Sequence, residues 1–195
     1  TAALAQALRD PRAATRVTHA WSGVLAQRVF GIACGYPDAN DADGLADDPM
    51  QKLLLDRDPI TGGRLASQPT VSRFENAVTP RDLYRLGEAL TDTVIARHRR
   101  RHRQARRITI DLDVTDDATH GAQQLTFFNG FYGGWCYLPL MAFLTLDDEP
   151  RQYLVAAVLR PGNAATAAGA CGLLRRLIPK VRAAFPRARV RVRLD

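Results

Sequence analysis

The residues with the clearest chemical potential lie at positions 108–117, where an alternating apolar run ends in four carboxylates and a threonine. This pattern predicts a buried strand that carries Asp111 and Asp113 toward its carboxyl end. Side chains two residues apart on a strand point to the same side of the sheet, so we expect these two carboxylates to lie close together. Like charges at that distance need a cation, and carboxylate oxygens suit Mg²⁺ or Mn²⁺ in phosphate chemistry. An acidic strand end that binds no ligand is the simpler alternative.

The positive charge of the chain is concentrated in one run. The 195 residues have a formal charge of +7 and a pI near 9.9, which favours an acidic partner such as nucleic acid. Residues 97–107 alone contain seven arginines and no acidic residue. A basic helix end that only complements the helix dipole is the alternative interpretation. The predicted DNA contacts are Arg73, in a short polar helix, and Arg97, Arg99, Arg100, Arg101, Arg103, Arg106 and Arg107.

The remaining composition favours a reducing compartment and gives no sign of a membrane partner. The three cysteines show no paired spacing, and Cys136 and Cys171 are interpreted as buried thiols. Neither a signal-like segment nor an apolar run of about 18 residues is present, so the sequence predicts a cytoplasmic protein. The chain begins without methionine and ends on Asp195 directly after a strand-like run, and is therefore expected to be a fragment.

The periodicity changes from helical to strand-like after the arginine run. This predicts a helical, basic region over residues 1–105 and an α/β region over residues 106–195. Thr79 and Asp82, on either side of Pro80, predict a helix start with a capping box. In the second region we expect strands at 108–117, 131–146 and 151–160, a helix over 163–185 and a fourth strand at 188–194. Trp135, Tyr137 and Phe143 alternate along the second of these strands and are interpreted as core.

This order of elements, with an aspartate at the ends of the first and fourth strands, resembles the first half of a ribonuclease H-like fold. The motifs ITIDLDVTDDATHGAQQ and FFNGFYGGWCYLPL, with the upstream GYPDANDADGLADDP and LASQPTVSRFENA, resemble the DDE-domain transposases of bacterial insertion sequences, the transposase DDE domain group 1 family. The resemblance covers about residues 21–195. It implies an α/β fold in which a partial ribonuclease H-like catalytic domain of four strands follows a helical DNA-binding region.

The resemblance also implies a site. In that family three carboxylates hold two Mg²⁺ or Mn²⁺ ions, which activate a water or a 3′-hydroxyl for attack on a DNA phosphodiester. Asp113 matches the first carboxylate, because Asp113, Val114 and Thr115 resemble the family's Asp-x-Thr, and Asp111 is the alternative. Asp195 matches the second carboxylate, and the third, a glutamate, has no match in this chain.

The partners follow from the same resemblance. It implies double-stranded DNA, both transposon ends and target, as the substrate, and a homodimer as the full-length form. The expected location is the bacterial cytoplasm at the nucleoid. Because the third acid is missing, the fragment is expected to lack cleavage and strand-transfer activity.

Two other interpretations remain open. The sequence DLDVT fits the DxDxT signature of haloacid-dehalogenase-type phosphatases, in which Asp111 would be the nucleophile and Asp113 the general acid/base. That signature normally opens its domain, whereas here it follows about 100 residues of helical sequence. A non-catalytic DNA-binding remnant is the third possibility.

Overall fold

The structure is a computed structural model that describes residues 2–13, 15, 17–101, 104–121 and 123–194. Two of the predicted site residues, Arg103 and Asp195, lie outside the described residues. The chain divides into two compact units, Thr1–Ala89 and Leu90–Asp195. The sequence-predicted boundary near residue 105, between a DNA-binding region and a catalytic region, remains a prediction.

The described part of the first unit is helical. Its core contains Trp21, Val24, Val71 and Phe74, and the Trp21 and Phe74 rings meet edge to face with centroids 5.3 Å apart. A buried glutamine, Gln27, exchanges two hydrogen bonds with the backbone of Ala66, of 2.8 and 2.9 Å. The helices are α1 (Ala2–Gln6), α2 (Trp21–Ala33), α3 (Ala42–Leu45) after a 3-10 turn (Ala39–Asp41), α4 (Pro49–Leu54), α5 (Gln68–Ala77) and the start of α6 (Pro80–Arg101).

The start of α6 has the predicted capping box. The Thr79 amide donates to Asp82 Oδ2 over 3.1 Å, and the Asp82 amide donates to Thr79 Oγ1 over 3.3 Å. The Thr79 hydroxyl also donates to Asp82 Oδ2, which lowers the pKa of the Asp82 carboxyl from its usual value. The bond to Asp82 satisfies the Thr79 amide, which a helix start leaves without a helical partner, while the Asp82 amide also donates to the Thr79 carbonyl over 2.9 Å.

The second unit is an α/β structure built on two sheets. Its strands are β1 (Arg107–Val114), β2 (Asp117–Ala118), β3 (Phe127–Asn129), β4 (Gly134–Tyr137), β5 (Leu140–Leu146), β6 (Tyr153–Val158) and β7 (Arg189–Leu194), with helix α7 (Ala170–Ala184) between β6 and β7. The larger sheet is mixed and has the order β6-β5-β1-β7, while the smaller has the order β2-β4-β3. In the larger sheet β1 is antiparallel to β5 and parallel to β7. The expectation that the first and last strands lie side by side is confirmed.

The two faces of the larger sheet differ in chemistry. Ile108, Ile110 and Leu112 of β1 are buried in one apolar cluster with Leu177 of α7 and Ile95 of α6. Because side chains alternate along a strand, Thr109, Asp111 and Asp113 belong to the opposite face. The apolar face builds the core of the unit, and the polar face presents the carboxylates.

The strand predicted over residues 131–146 is wrong in extent, because it is two strands in two different sheets. β4 pairs with β2 and β3, whereas β5 pairs with β1 and β6. Leu138 and Pro139 separate them. Proline has no amide hydrogen to donate to a ladder, so a break at Pro139 is physically expected.

The helix predicted from residue 163 begins only at Ala170, after a series of turns. These turns surround Arg160, whose buried guanidinium donates to the carbonyls of Leu138, Thr166 and Ala168 over 2.7–3.0 Å. The bonds stabilise the turns that precede the helix. Burial lowers the pKa of Arg160 from its usual value.

Candidate active site

Asp113 is the exposed carboxylate at the carboxyl end of β1. It is the second-last residue of that strand and lies opposite Met141 of β5. Among the described residues no hydrogen bond or ion pair engages its side chain. Both oxygens of Asp113 are therefore available to a cation or to solvent.

Asp111 lies two residues earlier and is in a different state. Its side chain is only 13% exposed, and Arg193 of β7 binds both carboxylate oxygens, with Nη2 to Oδ2 at 2.8 Å and a second bond from Nε to Oδ1. The two residues are directly opposite in the parallel register of β1 and β7. Gln152 Nε2 lies 3.5 Å from Oδ2. A bidentate arginine of this kind leaves Asp111 poorly placed to bind a metal as well.

The predicted partner of Asp113, Asp195, lies outside the described residues, but the ladder that leads toward it is described. Leu112 and Leu194 form the last pair in the parallel register of β1 and β7. Each of these leucines immediately precedes one of the two aspartates in the sequence. The parallel ladder therefore runs in register up to the residue before each candidate ligand.

The donor set fits a hard cation in type and not in number. Carboxylate oxygens such as those of Asp113 are the ligands that Mg²⁺ and Mn²⁺ favour. Within residues 2–13, 15, 17–101, 104–121 and 123–194, no group of three histidine, cysteine, aspartate or glutamate side chains is placed to hold a metal. Of the three predicted ligands, Asp111, Asp113 and Asp195, the described residues thus contribute one open carboxylate, that of Asp113.

The predicted DNA contacts differ in how available they are. Arg97, Arg100 and Arg101 are exposed at the end of α6, while Ile95 and His98 of the same segment are buried, and His98 packs against the ring of Tyr153. Arginines three and four residues apart share one helix face. This exposed group can meet a phosphate backbone.

The other predicted arginines that the structure describes are exposed too, but two of them have structural partners. Arg99 donates to the carbonyls of Ala183 and Ala184 at the end of α7. Arg107 binds the Asp148 carboxylate in the turn after β5. Arg73 on α5 and Arg106 before β1 are exposed.

A second set of arginines was missed by the sequence analysis. Arg189, Arg191 and Arg193 alternate along β7, are exposed, and lie opposite Arg107, Thr109 and Asp111 in the register. They therefore share the polar sheet face with Asp113. The alternation of arginine with valine in RARVRVRL was the available signal, because a half-exposed strand has this pattern.

The interpretation of Trp135 as a core residue is wrong, because its side chain is 59% exposed, whereas Tyr137 and Phe143 are half-buried. Cys171, expected to be buried, is exposed as well. Cys136 is buried as expected, and burial raises the pKa of its thiol. Tyr132 of the same segment donates from its hydroxyl to the carbonyl of Val114 over 3.3 Å. This bond ties the segment to the residue that follows Asp113.

Comparison with known proteins places the chain in a family. The second unit combines helices with a mixed sheet, and the chain has an open aspartate at a strand end and exposed arginines. The family model for the transposase DDE domain group 1 matches residues 1–195, and the chain belongs to that family. No curated protein and no solved structure matches the chain. In the described part of the chain, no helix combines the length and apolar character needed to cross a membrane.

Proposed function

We propose that this chain supplies the DNA-binding region and the first half of a ribonuclease H-like catalytic domain of an insertion-sequence transposase. The observation that carries the proposal is the parallel pairing of β1 with β7 beside an antiparallel β1-β5-β6 meander. In this arrangement the carboxyl ends of β1 and β7 meet at one edge of the sheet. Membership in a DDE transposase family supports the same conclusion.

The proposed ligands of the metal are Asp113 and Asp195. These two carboxylates would hold Mg²⁺ or Mn²⁺, which would supply Lewis-acid chemistry for attack on a phosphodiester. The residues of the chain have separate tasks in this scheme. Asp113 offers free carboxylate oxygens, and the pair of Asp111 with Arg193 holds the ends of β1 and β7 in register.

The proposed substrate is double-stranded DNA, held through its phosphates. Arg97, Arg100 and Arg101 form the exposed group at the end of α6. Each arginine that neutralises a phosphate releases counterions, which favours binding at low salt. Arg191 lies on the same sheet face as Asp113 and is proposed to contact the strand that approaches the metal.

The role of Asp113 is tested by metal binding and DNA cleavage together. We expect Asp113→Asn to weaken Mn²⁺ binding, measured from the paramagnetic resonance signal of free Mn²⁺, and Asp111→Asn to retain it. Any Mn²⁺-dependent nicking or strand transfer should disappear in the Asp113 variant. Equal Mn²⁺ binding by wild type and Asp113→Asn would refute the site. Hydrolysis of a small phosphate ester that depends on Asp111 would instead support a phosphatase, although Arg193 occupies both oxygens that a nucleophile needs.

The DNA contacts are tested by salt dependence. Replacing Arg100 and Arg101 with alanine should reduce the slope of log binding constant against log salt by about 1.8, because each lost phosphate contact contributes about 0.9. The matched control is Arg81→Ala with Arg85→Ala, which removes the same charge from the exposed amino end of the same helix. An unchanged slope in the first variant, or the same decrease in slope in both variants, would show that the arginines at the end of α6 do not contact DNA phosphates specifically.

A further inference from the structure

The segment between β2 and β5 forms an aromatic hairpin, which we define as residues 125–137 and which contains β3, a tight turn and β4. Its large rings face solvent, with Phe131 89% exposed, Trp135 59% and Phe128 57%. Phe128 and Trp135 are opposite each other across the strands and their rings meet edge to face. Contiguous exposed apolar surface of this kind usually marks a binding site.

The aromatic hairpin is held in one conformation. Asn129 Oδ1 accepts from the amides of Phe131 and Tyr132 at 3.0 and 3.4 Å, and Asn129 Nδ2 donates to the Gly162 carbonyl at 2.9 Å. Gly133 has a φ of 69°, which closes the turn in the left-handed region that glycine tolerates. The exposed rings are therefore presented by a fixed backbone, which lowers the entropy lost on binding.

The aromatic hairpin is also fixed to the proposed metal site. The hydroxyl of Tyr132 donates to the carbonyl of Val114, the residue after Asp113. On the other side, the Thr119 amide and hydroxyl both donate to the Trp135 carbonyl, at 3.0 and 3.1 Å. A strand of DNA whose phosphodiester lies at Asp113 would place its neighbouring nucleotides within reach of these rings.

The charge around the aromatic hairpin determines which part of a nucleotide can bind there. No lysine or arginine occurs from residue 108 to residue 150, and Asp116 and Asp117 are exposed beside β2. The aromatic hairpin itself therefore offers no cation to a phosphate, whereas its rings offer apolar faces to uncharged bases. Stacking on an aromatic ring requires an open base face, which an unpaired base has and a base inside a duplex lacks.

We propose that the aromatic hairpin stacks unpaired bases of the DNA strand that is cut at Asp113. The inference rests on the proposed function and adds to it a subsite that binds bases, whereas the arginines bind phosphates. The arginines bind phosphate and depend on salt, whereas the rings bind base faces and depend little on salt. Each stacked base should contribute about tenfold in affinity.

The test measures binding of oligothymidylate and of a blunt duplex by the wild-type chain and by Phe131→Ala. We expect about a tenfold loss for oligothymidylate and no change for the duplex, with an unchanged salt slope. Tryptophan fluorescence gives an independent signal, because Trp135 is exposed and the other tryptophan, Trp21, is buried. Oligothymidylate should quench the wild type and leave the remaining emission of Trp135→Phe unquenched.

Ile60→Ala is the matched control, because Ile60 is 87% exposed and lies outside the aromatic hairpin. An equal loss for single strand and duplex, or no quenching of Trp135, would overturn the inference. A third result would also overturn it: Trp135 fluorescence that changes with protein concentration in the absence of DNA, together with dimers in sedimentation. The rings would then be covered by a second copy of the chain. The outcomes are separable from the proposed function: normal duplex binding with Asp113-dependent Mn²⁺ binding would leave that function standing even if Phe131→Ala lost nothing.

Discussion

The ion pair between Asp111 and Arg193 should hold the ends of β1 and β7 together, and replacing Arg193 with methionine tests this. The Asp111 side chain is 13% exposed and that of Arg193 is 48% exposed. Exposed pairs contribute about 0–1 kcal/mol, and breaking a fully buried pair costs about 3–5 kcal/mol. Because Arg193 is half in solvent, the buried value must be discounted. We expect the Arg193→Met variant to lose about 1.5 kcal/mol of unfolding free energy.

The assay is urea unfolding followed by the fluorescence of Trp135 in a Trp21→Phe background. Trp135 reports the unit that contains the pair, whereas Trp21 belongs to the other unit. A loss of about 1.5 kcal/mol should lower the urea midpoint by roughly 1 M. Asp111→Asn should lose a similar unfolding free energy. The double variant should lose less than the sum of the two single losses, because the second substitution removes a side chain whose ion-pair partner is already absent.

Two results would refute this reasoning. Strict additivity of the two single changes would mean that the side chains do not interact. A loss in Asp113→Asn as large as that in Asp111→Asn would mean that burial and pairing do not distinguish the two aspartates, since Asp113 is exposed. The expected cost of Asp113→Asn is below about 0.5 kcal/mol, as for an ordinary surface change.

Two further predictions concern the framework around the site. Gly162→Ala should destabilise the second unit by about 1–3 kcal/mol, measured by urea unfolding, because its Cβ would lie 2.1 Å from the Cys136 carbonyl oxygen, whereas Gly130→Ala meets no atom within 4 Å and should cost less. Thr79→Ala should cost about 1 kcal/mol at neutral pH. The Thr79 hydroxyl lowers the folded-state pKa of Asp82, so this stabilisation is present above the usual value of 3.8 and is lost as the pH falls through the folded-state pKa. A Thr79→Ala effect on the thermal midpoint that grew below pH 3.8 would contradict the capping box.

The parts of the fold that follow from local chemistry were predictable. The start of α6 depends on Thr79 and Asp82, three residues apart, and the strand character of β1 depends on its own alternation. The start of α7 was not predictable in this way, because the turns that precede it are stabilised by Arg160, which binds their carbonyls. Nothing in the sequence of residues 163–169 shows that a guanidinium from β6's end will hold their carbonyls.

The candidate site was predictable to the level of two aspartates and no further. Asp111 and Asp113 lie on the same side of the strand, are the same residue type and each stand between two apolar residues. What separates them is the register of β7, which places Arg193 opposite Asp111. A register is fixed by contacts across many residues of chain, so the sequence pattern around either aspartate could not distinguish the paired acid from the open one.

The exposure of Trp135 was misjudged for a related reason. An alternating run such as Trp135, Tyr137 and Phe143 is typical of a core strand, and the interpretation assumed one continuous strand. Pro139 ends the first ladder, so Trp135 belongs to the small sheet, where its ring faces solvent, while Phe143 belongs to the large one. Exposure depends on which sheet a strand joins, and the alternation carries no information on that.

Positive and negative charges occupy different parts of the polar sheet face of the second unit. Arg193 neutralises Asp111, so the negative charge left at the end of β1 is that of Asp113 and of the acids at 116 and 117. Under the proposed function, a cation would be attracted to that end, and DNA phosphates would be attracted to the exposed Arg189 and Arg191 further back along the same face. The cut strand would then approach over these arginines and reach the acidic end with a metal to offset the repulsion. Beyond that point the aromatic hairpin would offer the strand rings and no cation of its own, so we expect bases, and not phosphates, to bind there.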